Sequence, residues 1–215
     1  MTVAAKICGL NDAAVVAAAI DAGADYLGFV FYPPSPRAVS PERAGALLAP
    51  VKGRVKAVGL FVDPTDDDIA AVLAVVELDL LQLHGRETPE RVAAIRQRFG
   101  LPVLKAIKIA GRADLERAGA YEGVADMLLF DAKPPTDMTD ALPGGNGLSF
   151  DWHLLAERPP HGPWMLSGGL DADNVAEAIR IAHPPAVDVS SGVEFEPGRK
   201  NPVAIKAFLD AAKAL

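Results

Sequence analysis

Residues 3–31 read VAAKICGLNDAAVVAAAIDAGADYLGFVF, and their hydrophobic period changes twice. Residues 3–8 form a short run suited to a strand, residues 11–22 are alanine-rich with a helical period, and residues 26–31 are again short, apolar and strand-like. A strand, a helix and a second strand in that order make a βαβ unit, whose two strands run parallel. Outward from this unit, the same alternation continues to the end of the chain. Strands are expected at 3–8, 26–31, 55–62, 79–83, 102–107, 125–130, 163–166 and 187–190. Helices are expected at 11–22, 41–49, 65–76, 88–99, 113–121, 151–156, 171–182 and 202–214. Eight units in 215 residues average about 27 residues each, close to the ~30 of a compact βαβ segment.

This α/β pattern closes naturally as a single (β/α)8 barrel of the TIM type, one domain over residues 1–215. An open doubly wound sheet would carry GxGxxG after its first strand, where this chain has only CGLNDA. Asn11, Ser40, Thr65, Thr88 and Asp171 stand at helix starts, where a side-chain oxygen can accept from unpaired first-turn amides. The longest irregular stretch, residues 131–149, follows the sixth strand, and loops of that length are usually functional or mobile.

Half the residues are hydrophobic, enough for a substantial core. A single cysteine, Cys8, excludes an internal disulfide and the paired-cysteine signatures of zinc and redox centres. The chain reads as cytoplasmic, with a free thiol. A net charge of −7 without any compensating Lys/Arg run argues against nucleic acid as a partner. The apolar stretch 13–20 is too short for a bilayer span of ~18 or more residues, so no membrane partner is expected.

A barrel of this kind builds its active site at the carboxyl ends of its strands. Cys8 ends the first strand, Arg37 lies after the second, His84 follows the fourth, Asp131 follows the sixth, and Asp188, Ser190 and Ser191 fall on the eighth. Residues two apart on a strand share a face. Val3, Ala5 and Ile7 therefore face the helices, which turns Lys6 and Cys8 into the barrel. In DLLQLHG the same parity sends Leu81 and Leu83 outward and Gln82 and His84 inward. A lone cysteine more often packs as a small hydrophobe than reacts, and His84 also fits a hydrogen-bonded core histidine. Asp131, after MLLF, must reach solvent or find partners.

Three glycine-rich segments occupy later loops: PGGNG with Gly145 and Gly147, LSGGL with Ser167, Gly168 and Gly169, and VSSGVE with Ser190, Ser191 and Gly192. Successive amides in such loops form an anion nest, and the recurring phosphate site of these barrels lies after strands seven and eight. A small phosphorylated molecule is the expected ligand. Neutral amides would hold it, which reconciles an anionic ligand with an acidic protein.

KICGL, GFVFYPPSPRAVS, VGLFVD, LQLHG, LLFDAK, GGNGLSFDW, LSGGLDADNV and VDVSSGVEFEPGRK together resemble the phosphoribosylanthranilate isomerase family of tryptophan biosynthesis. The matches run in order from Lys6 to Lys200. The resemblance implies a cofactor-free and metal-free Amadori rearrangement of N-(5-phosphoribosyl)anthranilate to 1-(2-carboxyphenylamino)-1-deoxyribulose 5-phosphate. It implies Asp131 as the general acid, Cys8 as the general base, Arg37 as the ligand of the anthranilate carboxylate, and the glycine-rich loops around the phosphate; the chain would be a monomer or a homodimer. A thiol of ordinary pKa ~8.5 is mostly protonated at neutral pH. Lys6, on the same face as Cys8, is the expected electrostatic partner of a thiolate. Indole-3-glycerol phosphate synthase would rely on lysine and glutamate and a pentose-phosphate epimerase on a metal-linked acid pair, so Cys8 with Asp131 discriminates against both. The loop PPTDMTDALPGGNG is somewhat long for the family, and Asn201-Pro202 replaces a more usual acidic start to the last helix.

Overall fold

The computed structural model describes residues 2–134, 142–157 and 159–214. Its strands are β1 (Ala4–Cys8), β2 (Tyr26–Val30), β3 (Lys56–Phe61), β4 (Leu80–Leu83), β5 (Val103–Ile109), β6 (Met127–Ala132), β7 (Trp164–Leu166) and β8 (Ala186–Val189). They follow one another in a closed parallel barrel, shut by β1 pairing with β8 in the register Lys6 to Asp188. The helices α1 (Ala13–Asp21), α2 (Pro41–Leu48), α3 (Asp66–Leu73), α4 (Pro89–Phe99), α5 (Arg112–Ala118), α6 (His153–Glu157), α7 (Val175–Ala182) and α8 (Pro202–Lys213) fill the crossovers. The expected (β/α)8 barrel is therefore the observed fold.

The two faces of each strand separate as their period requires. Val3, Ala5, Ile7, Leu81 and Leu83 belong to the core between barrel and helices. Inside the barrel, Val58, Leu80, Leu104, Ala106, Leu129, Met165 and Ala186 make a second apolar cluster. It closes the barrel below the polar layer at the carboxyl ends.

Several boundaries differ from the sequence reading, each for a local reason. β5 and β6 run two residues further than expected because Lys108 pairs with Asp131 and Ile109 with Ala132, so Asp131 lies within β6 rather than after it. Ser190 and Ser191 leave the barrel, since β8 stops at Val189 and Ser191–Val193 is a 3-10 turn. Asn11 does not cap α1; Asp12 does, and the Asn11 amide donates to the Gly198 carbonyl. α7 starts at Val175 because Asp171 ties down the backbone amides of Asp173 and Asn174 in a turn of its own. Ser40, Thr65 and Thr88 cap as expected, and Asn201 caps α8 in place of an acid. A short hairpin, β9 (Glu194–Glu196) with β10 (Arg199–Lys200), has no counterpart in the sequence reading. Residues 135–141 of the long loop lie outside the described residues. Among the described residues no helix is long and apolar enough to cross a membrane.

Candidate active site

A pocket opens at the carboxyl ends of the strands. Its lining includes Cys8, Arg37, His84, Asp131, Gly145, Gly147, Ser167, Gly168, Gly169, Ser190 and Ser191, residues from six strand ends brought to one place. Of the residues expected to bind substrate or act on it, Gly192 alone is outside the lining, and Lys6, the expected partner of Cys8, lies beneath it. Gly192 sits behind the pocket, where a side chain would collide with the Leu170 carbonyl, and so lets the loops after β7 and β8 pack together. The pocket is two-sided. Val30, Tyr32, Leu60 and Val62 make an apolar wall beside Cys8, and the glycine-rich loops make a polar one.

Cys8 is buried at 4 % exposure and pairs with Gly28 in the middle of β2. A Cβ at Gly28 would lie 3.0 Å from both the Cys8 Sγ and the Lys6 Nζ, so the missing side chain leaves room for thiol and ammonium together. Lys6 is fully buried and donates to Asp188 Oδ1 at 2.7 Å, while Ser167 Oγ donates to Asp188 Oδ2 at 3.0 Å. Burial works to lower the Lys6 pKa, but Asp188 and Cys8 outweigh it and hold the ammonium above its ordinary value. Lys6 thus stays charged beside the thiol, with Asp188 as its main partner.

Asp131 and His84 meet across the mouth. His84 Nε2 lies 3.2 Å from Asp131 Oδ2, and the backbone amide of Ala132 donates to Asp131 Oδ1 at 2.9 Å. Gly144 lies directly over this contact, since a Cβ there would be 2.8 Å from His84 Nε2. Gly168 adopts φ +90 and brings the β7 loop against the Ala132 amide, which a residue with a side chain would do only under strain.

Arg37 was expected to face a carboxylate, and the structure supplies one from the chain itself. Arg37 Nε and Nη2 donate to Glu194 Oε1 and Oε2, both at 2.8 Å, and Nη2 also donates to the Gly145 carbonyl at 3.2 Å. Lys200 Nζ donates to Glu194 Oε1 at 2.7 Å, to the Ser190 carbonyl at 2.8 Å and to Ser190 Oγ at 3.2 Å. Burial pushes Lys200 below its ordinary pKa, against the pull of Glu194. Burial also works to raise Glu194, but Arg37 and Lys200 overcome it and hold its carboxyl below the usual range. Two cations share one anion here, which leaves a net positive charge beside the pocket with Arg37 Nη1 uncommitted to either Glu194 or Gly145.

Glu194, Lys200, Asp188 and Gln82 are the site residues that the motif reading did not single out as binding or catalytic. Gly28 inside YLGFV was a usable signal, because a glycine within a strand marks a close approach. Nothing in the sequence reveals that Glu194 reaches Arg37, 157 positions away. Among the described residues no group of three His, Cys, Asp or Glu could hold a metal ion.

A closed parallel barrel whose polar mouth gathers a thiol, a carboxyl and glycine-rich loops is the architecture of the (β/α)8-barrel enzymes. The model of the family described as N-(5'-phosphoribosyl)anthranilate (PRA) isomerase matches residues 5–211. A relative from Rhodospirillum centenum, named N-(5'-phosphoribosyl)anthranilate isomerase, is 58% identical over 215 residues, covering 100% of both chains. The crystal structure of phosphoribosyl anthranilate isomerase from Thermotoga maritima superimposes with TM-score 0.88 at 39% identity, covering 99% of this chain and 100% of that one. A further structure, of the same enzyme type in complex with reduced 1-(o-carboxyphenylamino)-1-deoxyribulose 5-phosphate, has TM-score 0.85 at 38% identity with the same coverage. The chain belongs to the N-(5'-phosphoribosyl)anthranilate isomerase family.

Proposed function

We propose that this chain performs the family's isomerisation in tryptophan biosynthesis with Asp131 as general acid and Cys8 as general base. N-(5-phosphoribosyl)anthranilate becomes 1-(2-carboxyphenylamino)-1-deoxyribulose 5-phosphate. Asp131 gives its proton to the ribose ring oxygen as the C1–O bond breaks, and the anilino nitrogen lone pair forms the C=N bond of a Schiff base. The Cys8 thiolate then takes the proton from C2, and the electron pair moves to neutralise the nitrogen, giving an enolamine. Gain of a proton at C1 and loss of one from the C2 hydroxyl give the ketone. The two catalytic groups then exchange their protons with solvent, and atoms balance as an isomerisation must.

One observation carries the reading: Cys8 and Asp131, from β1 and β6, line a single pocket that also receives the glycine-rich loops. The Lys6 ammonium stands beside the thiol, in the room left by Gly28. The apolar wall of Val30, Tyr32, Leu60 and Val62 suits the aryl ring, and Arg37 Nη1 suits its carboxylate. Amides of the loops bearing Gly145, Gly147, Ser167, Gly168, Gly169, Ser190 and Ser191 would take the phosphate, with Gly192 holding two of those loops in register.

The test follows the loss of substrate fluorescence in Cys8→Ala and Asp131→Asn. Acid or base assistance is worth roughly 10² to 10⁴ in rate, so both variants should lose that much kcat while still binding a product analogue. Near-normal turnover in either variant removes that residue from its role. Restoration of tryptophan-independent growth in a strain lacking only this isomerase, and its failure with Cys8→Ala, tests the activity in the cell.

A further inference from the structure

Gln82 on the inward face of β4 and His84 just past its end make a chain of contacts that ends on Asp131. Gln82 is fully buried; its Nε2 lies 3.0 Å from His84 Nδ1, and His84 Nε2 lies 3.2 Å from Asp131 Oδ2. An amide NH2 only donates, so His84 Nδ1 must accept and the ring proton must sit on Nε2, aimed at Asp131. The other end of the amide is anomalous. Gln82 Oε1 is a buried acceptor without a hydrogen-bond partner among the described residues.

Turning the amide over would keep its shape and reverse the logic. Oε1 would accept from a proton on Nδ1, Nε2 of the ring would become an acceptor, and His84 could then bond only to a protonated Asp131. In the structure the Nε2 end of the amide meets the ring and the oxygen is the end left unpaired, and under-satisfied buried carbonyl oxygens are less rare in proteins than orphaned N–H groups. This orientation is the one that makes His84 a donor.

We propose that Gln82 is a positioning residue that fixes His84 in its Nε2–H tautomer, so that His84 donates to the Asp131 carboxyl as that group gives up its proton. The proposal rests on the reading of Asp131 as the acid. A hydrogen bond from His84 to Oδ2, together with the one from the Ala132 amide to Oδ1, strengthens as negative charge develops on the carboxylate. An interaction stronger after proton release than before it accelerates the step, and uniform binding does not. Gly144, packed over the His84–Asp131 contact, shields it from solvent.

The experiment is a long-range nitrogen–proton correlation spectrum of the whole enzyme labelled with ¹⁵N-histidine, combined with steady-state kinetics. The chain has four histidines; His153, His161 and His183 are exposed, and a His84→Asn spectrum assigns the remaining one. The wild-type protein should show a protonated Nε2 and a pyridine-like Nδ1 for His84. In Gln82→Glu the carboxylate can only accept, so the proton should move to Nδ1 or both nitrogens should carry one. In Gln82→Met, which keeps the length and apolar bulk, the ring should report a mixture of tautomers. Both variants should lose about tenfold or more in kcat, the size of one hydrogen bond to a charged group, with KM changed little.

A wild-type signature with the proton on Nδ1 overturns the proposal, and that spectrum needs no variant to fold. An unchanged tautomer and unchanged kcat in Gln82→Met overturn it as well. Asp131→Asn separates the two readings: near-normal turnover there defeats the acid assignment, and the wild-type spectrum still decides whether Gln82 sets the tautomer.

Discussion

The two ends of the barrel handle charge in opposite ways. At the amino ends, Asp25, Asp79 and Asp126 stand just before β2, β4 and β6, and each carboxylate accepts from a backbone amide of the preceding strand: Ala5 at 2.8 Å, Ala57 at 2.7 Å and Val103 at 2.9 Å. The same three residues donate their own backbone amides back, to the carbonyls of Ala5, Ala57 and Val103. Each clamp spans one βα unit and stays close to water, and Asp25 Oδ2 also accepts from Lys213 Nζ at 2.9 Å. At the carboxyl ends the charges are buried and two of them answer to partners far away in the chain, Lys6 with Asp188 and Arg37 with Glu194, which also holds nearby Lys200. The lesson is a division of labour. Carboxylates that only pin strands can stay wet, whereas groups that must act on a substrate are taken out of water, where their interactions strengthen and their isolation becomes costly.

That contrast can be broken most decisively at the mouth. Cys8→Ala and Asp131→Asn should lower kcat by roughly 10² to 10⁴ with little change in thermal midpoint, because Lys6 keeps Asp188 when the thiol is lost and the Ala132 amide keeps an acceptor when the carboxyl becomes an amide. A large fall in midpoint in these variants would mean that the pair holds the fold rather than the reaction.

Lys6→Met comes next and should strike stability as well as activity, by about 3 kcal/mol in urea unfolding, because among the described residues it strands Asp188 with only Ser167 as a side-chain partner. The alkaline limb sharpens this. The Lys6 pKa is raised in the folded protein, so its contribution is complete below the ordinary lysine value of 10.5 and is lost as pH rises through the higher folded value. Stability measured above pH 10.5 should therefore fall less steeply in Lys6→Met than in the wild type.

Arg37→Ala should raise KM by roughly 10- to 100-fold, the worth of a charge-assisted contact, with a smaller effect on kcat. Glu194→Gln should raise KM less, since Arg37 keeps its charge and loses only its orientation. The carboxyl of Glu194 is depressed in the folded state, so its stabilising contribution is present above the ordinary value of 4.5 and lost as pH falls below it. Acid unfolding curves of Glu194→Gln should be correspondingly flatter, and identical curves would remove the carboxylate from the balance.

The smallest effect belongs to the other end. Asp79→Ala removes one exposed clamp and should cost about 1 kcal/mol, a shift of ~2–4 °C in midpoint, with kcat and KM unchanged. A change in catalysis from this position would erase the distinction between the two ends.

Much of the barrel was legible because its signals are local. The period switch at residues 3–31 repeats down the chain, and the face assignment of Lys6 and Cys8 against Val3, Ala5 and Ile7 follows from a strand period of two. What failed were boundaries decided by partners. Asp131 reads as the first loop residue after MLLF, yet Lys108 beside it extends β6 over it. Asp171 looks like a helix cap and is one in chemistry, but it stands four residues before α7 and caps the turn that leads into it.

By itself the sequence determined the eight alternations, the inward and outward parity of each strand, the end of the barrel where polar residues gather, and the motifs of a family. Those properties depend on neighbours within a few residues, and periodicity records them. Only the tertiary structure decided that Glu194 occupies the fork of Arg37, that Asp188 is the main partner of Lys6, and that Gln82 leaves a carbonyl oxygen unpaired behind His84. Barrel closure sets β1 beside β8, and the short hairpin after β8 reaches back over the mouth. Which buried charges meet is thus a property of the closed ring and of no single strand within it.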